Sequence, residues 1–300
     1  MQTKPTGPEP VVCLDALFDI WRALEIRVLC DGHGQVARYT EIPQKIRGAM
    51  GHALRAGASD QAVAGQQCPF QPPCTYDLFH NARASVTGGL EMPKPFVIQT
   101  DPAGEDLLVT LRLFGEACDR AHEFGAGLVA GLRAGLEAGG GRRLRPRVLA
   151  MEQVALPVPV RRPMNTPVVL NFLTPVMQSR AKKPIFDPVS LLTGLGNRIT
   201  GMARWHGVVL ELDAAELKAD AARIGGLAQH EGQDDHWHRG GRFSAAKVPR
   251  KQTGRCGWLR YPAPGDLIGR LLQLGVQTHI GAKCAAGPGR YMLGLEADPG

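Results

Sequence analysis

The stretch that decides the fold spans residues 258–293, and its most informative part reads His279-Ile280-Gly281-Ala282-Lys283-Cys284-Ala285-Ala286-Gly287-Pro288-Gly289-Arg290-Tyr291. This part joins a helix-like segment, residues 266–274, to a strand-like tail, residues 291–295. Glycine permits backbone conformations closed to other residues and lets main-chain N–H groups approach a ligand, so a basic glycine-rich turn is suited to holding phosphate. A plain connecting loop is the alternative interpretation.

The order of features around this loop is more specific than its composition. Upstream, Gly257-Trp258-Leu259-Arg260-Tyr261 has the pattern of a strand and residues 267–274 that of a helix. The order resembles the C-terminal half of the CRISPR-associated precursor-RNA processing endoribonucleases of the RAMP superfamily, which continue with His-hydrophobic-Gly-Lys/Arg and a Gly-x-Gly-aromatic turn. This chain departs from the family at Ala285-Ala286, where an aromatic residue usually precedes the final glycines.

The resemblance extends through most of residues 42–295. Arg47-Gly48-Ala49-Met50-Gly51 is similar to the family's first helix, and residues 68–79 are similar to its cysteine-rich linker, which ends in Cys-x-Tyr-x-x-Phe. The departure before Gly287 and the rich supply of arginines point to a divergent branch, such as one of the type IV systems.

Composition limits the fold and the function. A chain of 300 residues with 44% hydrophobic content favours two domains. A net charge of +7 and a pI near 9.2 favour a polyanionic partner. Because only 6% of the residues are aromatic, we expect phosphate and shape contacts to dominate over base stacking.

The cysteines and the N-terminus indicate the compartment. The seven cysteines have no regular spacing, which argues against a secreted disulfide framework. Residues 1–10 are polar and proline-rich rather than a signal peptide, and no apolar run reaches the roughly 18 residues needed to span a bilayer. We therefore expect a cytoplasmic protein with reduced thiols and no membrane partner.

Hydrophobic periodicity predicts an α+β protein, and the resemblance implies two ferredoxin-like (RRM-like) domains, residues 1–157 and residues 158–300. In the first half the order is strand, helix, strand, strand, helix, strand, which is ferredoxin-like. These segments are residues 22–28, 42–54, 96–100, 107–114, 117–138 and 148–156, with Gly139-Gly140-Gly141 predicted to stop the second helix.

The second half restarts after a proline-rich linker, residues 157–167. Its predicted elements are a strand at 168–175, a helix at 188–204, a short strand at 208–212 and a helix at 213–224 that Asp213 caps. A basic insertion around residues 213–255 then precedes the strand, helix and glycine-rich loop described above.

Two basic segments are candidates for contact with RNA. The run at 142–147 includes Arg143 and Arg145, and a solvated turn is its alternative interpretation. In residues 230–255, Trp237 and Phe243 alternate with positive charge, as expected where bases and phosphates are both touched, although a disordered loop would also fit. The basic residues selected there are Arg239, Arg242, Arg250 and Lys251.

The sequence gives little support for a metal or another cofactor. Cys68 and Cys74 could bind zinc, but zinc needs four ligands and no second cysteine pair at short spacing appears, so we expect buried structural thiols. His236-x-His238 could chelate a metal, but no partner spacing supports it.

The resemblance implies metal-independent cleavage of CRISPR precursor RNA beside the repeat hairpin. The substrate's own 2′-hydroxyl attacks the adjacent phosphate, leaving a 2′,3′-cyclic phosphate and a 5′-hydroxyl, and the enzyme then stays bound to the mature crRNA. Such chemistry needs a base, an acid and cations on the phosphate. The hairpin RNA is therefore the expected partner, with other subunits of an effector complex as further partners.

Position within the family's pattern selects the candidate catalytic residues. His33 and Arg38 lie before the first helix, where the family commonly places its general base, whereas His52 on that helix is read as structural. Arginine holds its proton too firmly to act as a base but can neutralise a phosphate. We predict catalysis by Arg38 and Arg242, with His33 or Arg22 as partner. The residues predicted to retain RNA are Arg143, Arg145, Arg239, Arg250, Lys251, Lys283 and Arg290, with Gly281, Gly287 and Gly289 shaping the loop.

Two other functions compete with cleavage. A non-catalytic RAMP-like scaffold for crRNA in an effector complex would use the same basic loops, but it would leave no cyclic phosphate. A generic basic RNA-binding protein would show no preference for a repeat hairpin, and it leaves the ordered motifs unexplained.

Overall fold

The structure is a computed structural model that describes residues 9–70, 72–80, 85–86, 90–137, 143–162, 164–178, 187–239 and 250–295. The helices are α1 Leu14–Ile20, α2 Ile42–Leu54, α3 Asp60–Val63, α4 Thr75–His80, α5 Ala121–Ala134, α6 Pro188–Arg204, α7 Ala214–Gly225 and α8 Gly265–Thr278. The strands are β1 Val11–Val12, β2 Ala23–His33, β3 Ser85–Val86, β4 Leu90–Glu91, β5 Phe96–Ala103, β6 Asp106–Phe114, β7 Leu136–Glu137, β8 Arg143–Leu144, β9 Arg147–Ala155, β10 Val168–Val176, β11 Val209–Leu210, β12 Gln229–Arg239, β13 Arg250–Tyr261 and β14 Tyr291–Leu295.

The first half builds an antiparallel sheet in the spatial order β5-β6-β2-β9. Because these strands follow one another along the chain as β2, β5, β6 and β9, with α2 and α5 between them, the topology is ferredoxin-like. Apolar residues of alternate positions, such as Ile26, Val28 and Leu111, are fully buried. Alternation in the sequence therefore identified the face that packs against the helices.

The other face of this sheet holds a buried carboxylate. Glu25 is 5% exposed, and its side chain accepts hydrogen bonds from Arg112 Nη2 at 2.7 Å and from Arg27 Nε at 2.8 Å. Burial alone raises the pKa of Glu25, but the charge and hydrogen bonds of Arg112 and then Arg27 outweigh it, so the pKa is lowered overall. Glu25 is therefore ionised near neutral pH.

The second half repeats the same topology. Its sheet has the order β12-β13-β10-β14, and the chain order β10, β12, β13, β14 with α6 and α8 between strands is again ferredoxin-like. Two tyrosines anchor the sheet to its helices: the Tyr261 hydroxyl donates to Pro188 O at 3.1 Å and the Tyr291 hydroxyl to Leu272 O at 2.6 Å. The tandem ferredoxin-like α+β fold predicted from the sequence is confirmed.

The chain folds into two compact units that are not contiguous in sequence. The first runs to Val158 and also contains Thr200–Glu211, and the second comprises Pro159–Ile199 and the residues from Leu212 onward. Within the first unit, β11 pairs in parallel with β1, and the Glu116 amide donates to Trp205 O at 2.8 Å. Autonomous domains at residues 1–157 and 158–300 stay a prediction.

Two details of the secondary structure differ from the prediction. Helix α5 ends at Ala134, because Gly135 adopts φ 93° and directs the chain into β7 before the glycine run at 139–141 is reached. The basic segment at 230–255 is not an insertion beside the fold, since its described residues form most of the β12–β13 hairpin, two of the four strands of the second sheet. Among the described residues, every helix is too short or too polar to cross a membrane.

Candidate functional site

His33 is the last residue of β2, and several hydrogen bonds hold the turn around it. It adopts a left-handed φ of 69°, which is uncommon outside glycine. The Gly32 amide donates to Asp106 Oδ1 at 2.7 Å, and the Gly34 amide donates to Glu105 O at 2.8 Å. His33 Nδ1 lies 3.1 Å from Asp31 O, and because a carbonyl only accepts, Nδ1 must carry the proton. In the neutral ring, Nε2 is then the atom able to take a proton.

Arg38 closes the short 3₁₀ helix Gly34–Arg38 that follows His33, and its side chain is exposed. Five residues of 3₁₀ helix rise about 10 Å, a span that the arginine and histidine side chains can bridge around one phosphodiester. The Thr100 hydroxyl of β5 donates to Ala37 O at 3.1 Å, so the helix runs from the end of β2 toward β5 and places Arg38 on that side of His33.

Arg147, the last residue of the basic run at 142–147, starts β9 at the end of β2 that carries His33. It stands opposite Asp31 in the β2–β9 register, and its Nη2 lies 2.6 Å from Asp31 Oδ2. Both side chains are largely exposed, so this ion pair contributes about 0–1 kcal/mol to stability. Its main effect is to hold a cation two strand positions from His33.

The predicted RNA contacts Arg143 and Arg145 precede Arg147 along the chain, and both are exposed. Arg143 belongs to β8 and stands opposite Glu137 of β7, so a short hairpin presents the start of the basic run. Because β9 begins beside the end of β2, this run belongs to the same end of the first sheet as His33.

Arg22 lies at the opposite end of β2. At about 3.3 Å per residue, the strand separates it from His33 by about 35 Å, too far for both side chains to contact one phosphate. Its Nη2 donates to Gly115 O at 2.7 Å and to Asp119 Oδ2 at 2.9 Å, and the Asp119 hydrogen bond raises the pKa of Arg22. Its amide donates to His206 Nε2 at 3.0 Å. Of the two predicted partners, the structure places His33 and not Arg22 beside Arg38.

Other predicted residues belong to the second unit. Arg242 lies outside the described residues. Arg239 and Arg250 stand opposite each other at the described end of the β12–β13 hairpin, and Lys251 stands opposite His238. In the part of the chain that the structure describes, no three His, Cys, Asp or Glu side chains are grouped to hold a metal.

The glycine-rich loop between α8 and β14 is closed by its own hydrogen bonds. His279 is fully buried and donates through Nδ1 to Pro288 O at 3.2 Å, which joins the two ends of the loop. Gly289 adopts φ 77°, and a Cβ at this position would lie 1.8 Å from Ile280 O. The glycine is therefore required by the close approach of two backbone segments.

Many loop amides are already bonded within the protein. Those that donate to main-chain oxygens or to the Thr174 hydroxyl are the amides of Ile280, Ala282, Ala286, Gly287, Gly289 and Arg290. These groups are not available to a phosphate in this conformation, which shifts the expected RNA contact from the loop backbone to its side chains. Lys283 is exposed and Arg290 is half-buried.

Arg198 braces this loop from α6, a role that the sequence did not indicate. Its Nε donates to Thr278 O at 2.8 Å, at the residue before the loop. Burial raises the pKa of the Cys284 thiol inside the loop, and the nearby charge of Arg198 partly opposes that rise. The sequence predicted the helix at 188–204, but periodicity could not show which loop Arg198 meets. His52, in contrast, is exposed on α2.

Comparison with known proteins finds a matching family model for each half of the chain. Residues 170–291 match the family model described as CRISPR-associated endoribonuclease Cas6, and residues 23–162 match a model described as an N-terminal domain. No curated protein sequence matches the chain.

Similar solved structures carry the same family name. The "Cas6 (TTHB231) product complex" is 15% identical with a TM-score of 0.53, covering 91% of this chain and 99% of that one. The "Cas6 (TTHA0078) product complex" is 16% identical with a TM-score of 0.49, covering 92% and 100%, and "Thermus thermophilus Cas6 (TTHB231)" is 16% identical with a TM-score of 0.47, covering 91% and 98%. At these identities the first of the three demonstrates a shared fold.

Proposed function

Because this chain belongs to the Cas6 family of CRISPR-associated endoribonucleases, we propose that it cleaves CRISPR precursor RNA beside the repeat hairpin and retains the processed RNA. The observation that carries this proposal is that His33 ends β2 with Arg38 following it on the β5 side of the sheet and Arg147 on the β9 side. A histidine with one nitrogen able to accept a proton, next to cations, is the set of groups that strand scission by a 2′-hydroxyl requires.

In the proposed reaction, His33 Nε2 takes the proton of the 2′-hydroxyl as its oxygen attacks the adjacent phosphorus. The bond from phosphorus to the 5′-oxygen breaks, which leaves a 2′,3′-cyclic phosphate on one product and a 5′-hydroxyl on the other. The leaving oxygen receives its proton from the imidazolium or from water. Arg38 neutralises the phosphate, since its guanidinium stays charged and offers a rigid fork of donors. The attacking group comes from the substrate, so the proposed reaction uses no metal.

Retention of the product is proposed to depend on cations outside the reacting centre. The basic run from Arg143 to Arg147 is exposed beside this centre, and Lys283 is exposed on the glycine-rich loop of the second unit. Each contact to a phosphate releases bound counterions, so binding should weaken steeply with salt.

The test is incubation of the purified protein, in EDTA, with a 5′-labelled repeat RNA and with the same RNA carrying a 2′-deoxy substitution at the cut site. We expect cleavage near the base of the hairpin that survives EDTA and is abolished in the deoxy substrate. Cleavage of the deoxy substrate would rule out attack by the 2′-hydroxyl. Tight hairpin binding with no cleavage would refute the proposed endoribonuclease activity and favour a non-catalytic scaffold for crRNA.

Alanine variants then test the catalytic roles proposed for individual side chains. His33→Ala and Arg38→Ala should each slow single-turnover cleavage by about 100-fold or more while changing RNA affinity by less than about fivefold. Arg22→Ala removes a cation of the same type at the far end of the strand, so it should leave the rate within a few-fold of the parent. A slow Arg22→Ala variant with unchanged stability would contradict the placement of the reacting phosphate beside His33. Arg242→Ala tests the remaining predicted arginine by the same assay.

A further inference from the structure

Cys68 and Cys74 form a close pair in the first unit, between α3 and α4. The Cys68 sulfur accepts hydrogen bonds from the Cys74 amide at 3.4 Å and from the Ser59 hydroxyl at 3.3 Å. The two thiols are 4% and 8% exposed, and they pack in a small cluster with Ala62. The pair is thus held in contact by backbone and side-chain donors, not by chance proximity at the surface.

The charged form of Cys68 is stabilised in this position. Burial raises the pKa of the thiol, but hydrogen bonds from the Cys74 amide, the Ser59 hydroxyl, the Phe70 amide and the Cys74 thiol outweigh it, and the pKa is lowered overall. Elsewhere burial has the opposite net result, since it raises the pKa of Cys30, Cys118 and Cys256 to about 11.

Cys74 also opens onto a cleft. This cleft has a volume of about 630 Å³, and its walls include Phe70, Thr75, Tyr76 and Ala126. Cys74 therefore borders a space that a small polar molecule can enter, whereas Cys68 is not part of its lining.

We propose that Cys68 and Cys74 are an oxidation site, at which a hydroperoxide converts the two thiols into an intramolecular disulfide. The Cys74 sulfur attacks one peroxide oxygen, the O–O bond breaks, and the departing oxygen takes the thiol proton as water or an alcohol. This leaves a sulfenic acid on Cys74. The Cys68 sulfur then attacks that sulfur, the S–S bond forms, and the hydroxyl leaves with the second proton as water. The two thiols lose two electrons and the hydroperoxide gains them.

The proposal is independent of RNA cleavage, and it concerns the segment that links α3 to α4. A disulfide here would close a short loop in the chain and restrict the unfolded state, so the thermal midpoint of the first unit should rise by about 5 °C. The same bond would fix one wall of the cleft that Cys74 lines.

The experiment treats the full chain, carrying Cys13→Ser to remove the exposed thiol, with hydrogen peroxide, and maps its peptides without reduction. We expect one crosslinked peptide joining Cys68 to Cys74, a mass lower by two hydrogens, and reversal by dithiothreitol. In Cys68→Ser the sulfenic acid on Cys74 should persist and be trapped by dimedone, whereas Cys74→Ser should give no crosslink.

Three outcomes would overturn the proposal. They are a crosslink at any other pair under the same dose, free thiols at both positions after Cys30 and Cys118 have been oxidised, and a stoichiometric zinc ion on the pair in the untreated protein. The mapped peptide and the thermal midpoint are read on protein with intact wild-type Cys68 and Cys74, so neither depends on whether the serine variants fold.

Discussion

The two units place different kinds of loop at the same position of the same fold. In each unit a connection leaves the second helix of the ferredoxin-like order and enters its fourth strand. In the first unit this connection spans residues 135–146, and its described cations Arg143 and Arg145 are exposed. In the second it spans residues 279–290, where His279 is buried and the backbone is tied to itself.

Both connections contain several glycines, so the difference between them lies in how the described backbone is held and in how many cations are exposed, not in glycine content. The loop of the second unit needs glycine at position 289, because the backbone there lies too close to the Ile280 carbonyl to leave room for a Cβ atom. The connection of the first unit uses Gly135, with φ 93°, where α5 ends, and its described arginines are exposed. A fixed loop presents a few side chains in one geometry. An exposed basic run instead creates a positive electrostatic potential that attracts phosphates in many arrangements.

The largest effect that this contrast predicts is that of Gly289→Ala. The new Cβ would collide with the Ile280 carbonyl at a positive φ, so the loop must rearrange, and we expect a loss of about 3–5 kcal/mol in the free energy of unfolding. Urea denaturation gives the loss, and hydrogen exchange resolved by peptide shows whether α8 and β14 open first.

Gly194→Ala is the matched control in the same unit. Gly194 is exposed in α6, its φ is not positive, and a Cβ there would meet nothing within 4 Å. This change should stabilise the helix by up to about 1 kcal/mol. Equal losses in both variants would mean that the loop is not the fixed element described above.

A smaller effect distinguishes the faces of the two sheets. The first holds the buried Glu25 with Arg112 and Arg27, whereas the corresponding face of the second carries Asn171 and Trp258 opposite each other. Glu25→Gln leaves the arginines without their anion and should cost about 2 kcal/mol at pH 7. Chemical denaturation followed by peptide-resolved exchange measures that cost in the first unit.

The same variant has a pH signature with a definite sign. The folded pKa of Glu25 lies below its unfolded value near 4.5, so its contribution is complete above that pH and is lost as the pH falls through the folded pKa. The parent should thus lose more stability than Glu25→Gln between pH 5 and pH 3, by about 1–2 kcal/mol. If the stability of the two proteins fell equally with pH, Glu25 would not be a source of the pH dependence.

The smallest predicted effect concerns the charged connection. Arg143→Ala with Arg145→Ala should lower repeat-RNA affinity by about tenfold, and it should reduce the slope of log K against log salt by about 1.5–2 without changing stability. Lys218→Ala with Arg223→Ala removes the same charge from the exposed side of α7 and should change affinity by less than about twofold. An equal loss of affinity in the two double variants would mean that net charge, and not the position of Arg143 and Arg145, determines binding.

Periodicity in the sequence predicted most of the elements, and the exceptions have physical causes. The helices at 42–54 and 188–204 agree with α2 and α6, because a continuous apolar stripe marks a helix that packs on one side. The sequence predicted the end of β13 at residues 257–261 but not β12 or the start of β13. Described residues of β12 such as Glu231 and Gln233 are exposed, and main-chain pairing, not alternate burial, forms the hairpin.

The candidate site could be predicted only in part. Residue type and position selected His33, Arg38 and the basic run, because charge and chemistry are visible in a sequence. The contribution of Arg147 depends on the β2–β9 register, and the separation of Arg22 from His33 depends on β2 continuing to residue 33. Both are properties of the sheet, which the residues along one strand do not reveal. The assignments of catalytic and RNA-binding roles stay predictions.

Helix α6 starts among residues of the second unit and ends among those of the first. During synthesis, the N-terminal unit therefore emerges from the ribosome incomplete. Strand β1 cannot pair until β11 has been translated, and the Glu116 amide has no Trp205 carbonyl to donate to until then. This unit can close only after the strand β10 and the whole of α6 have been translated. A nascent chain arrested just beyond residue 158 should thus be more sensitive to protease than one arrested beyond residue 211, and a gene split at the apparent linker should yield an N-terminal fragment that needs its other half to fold.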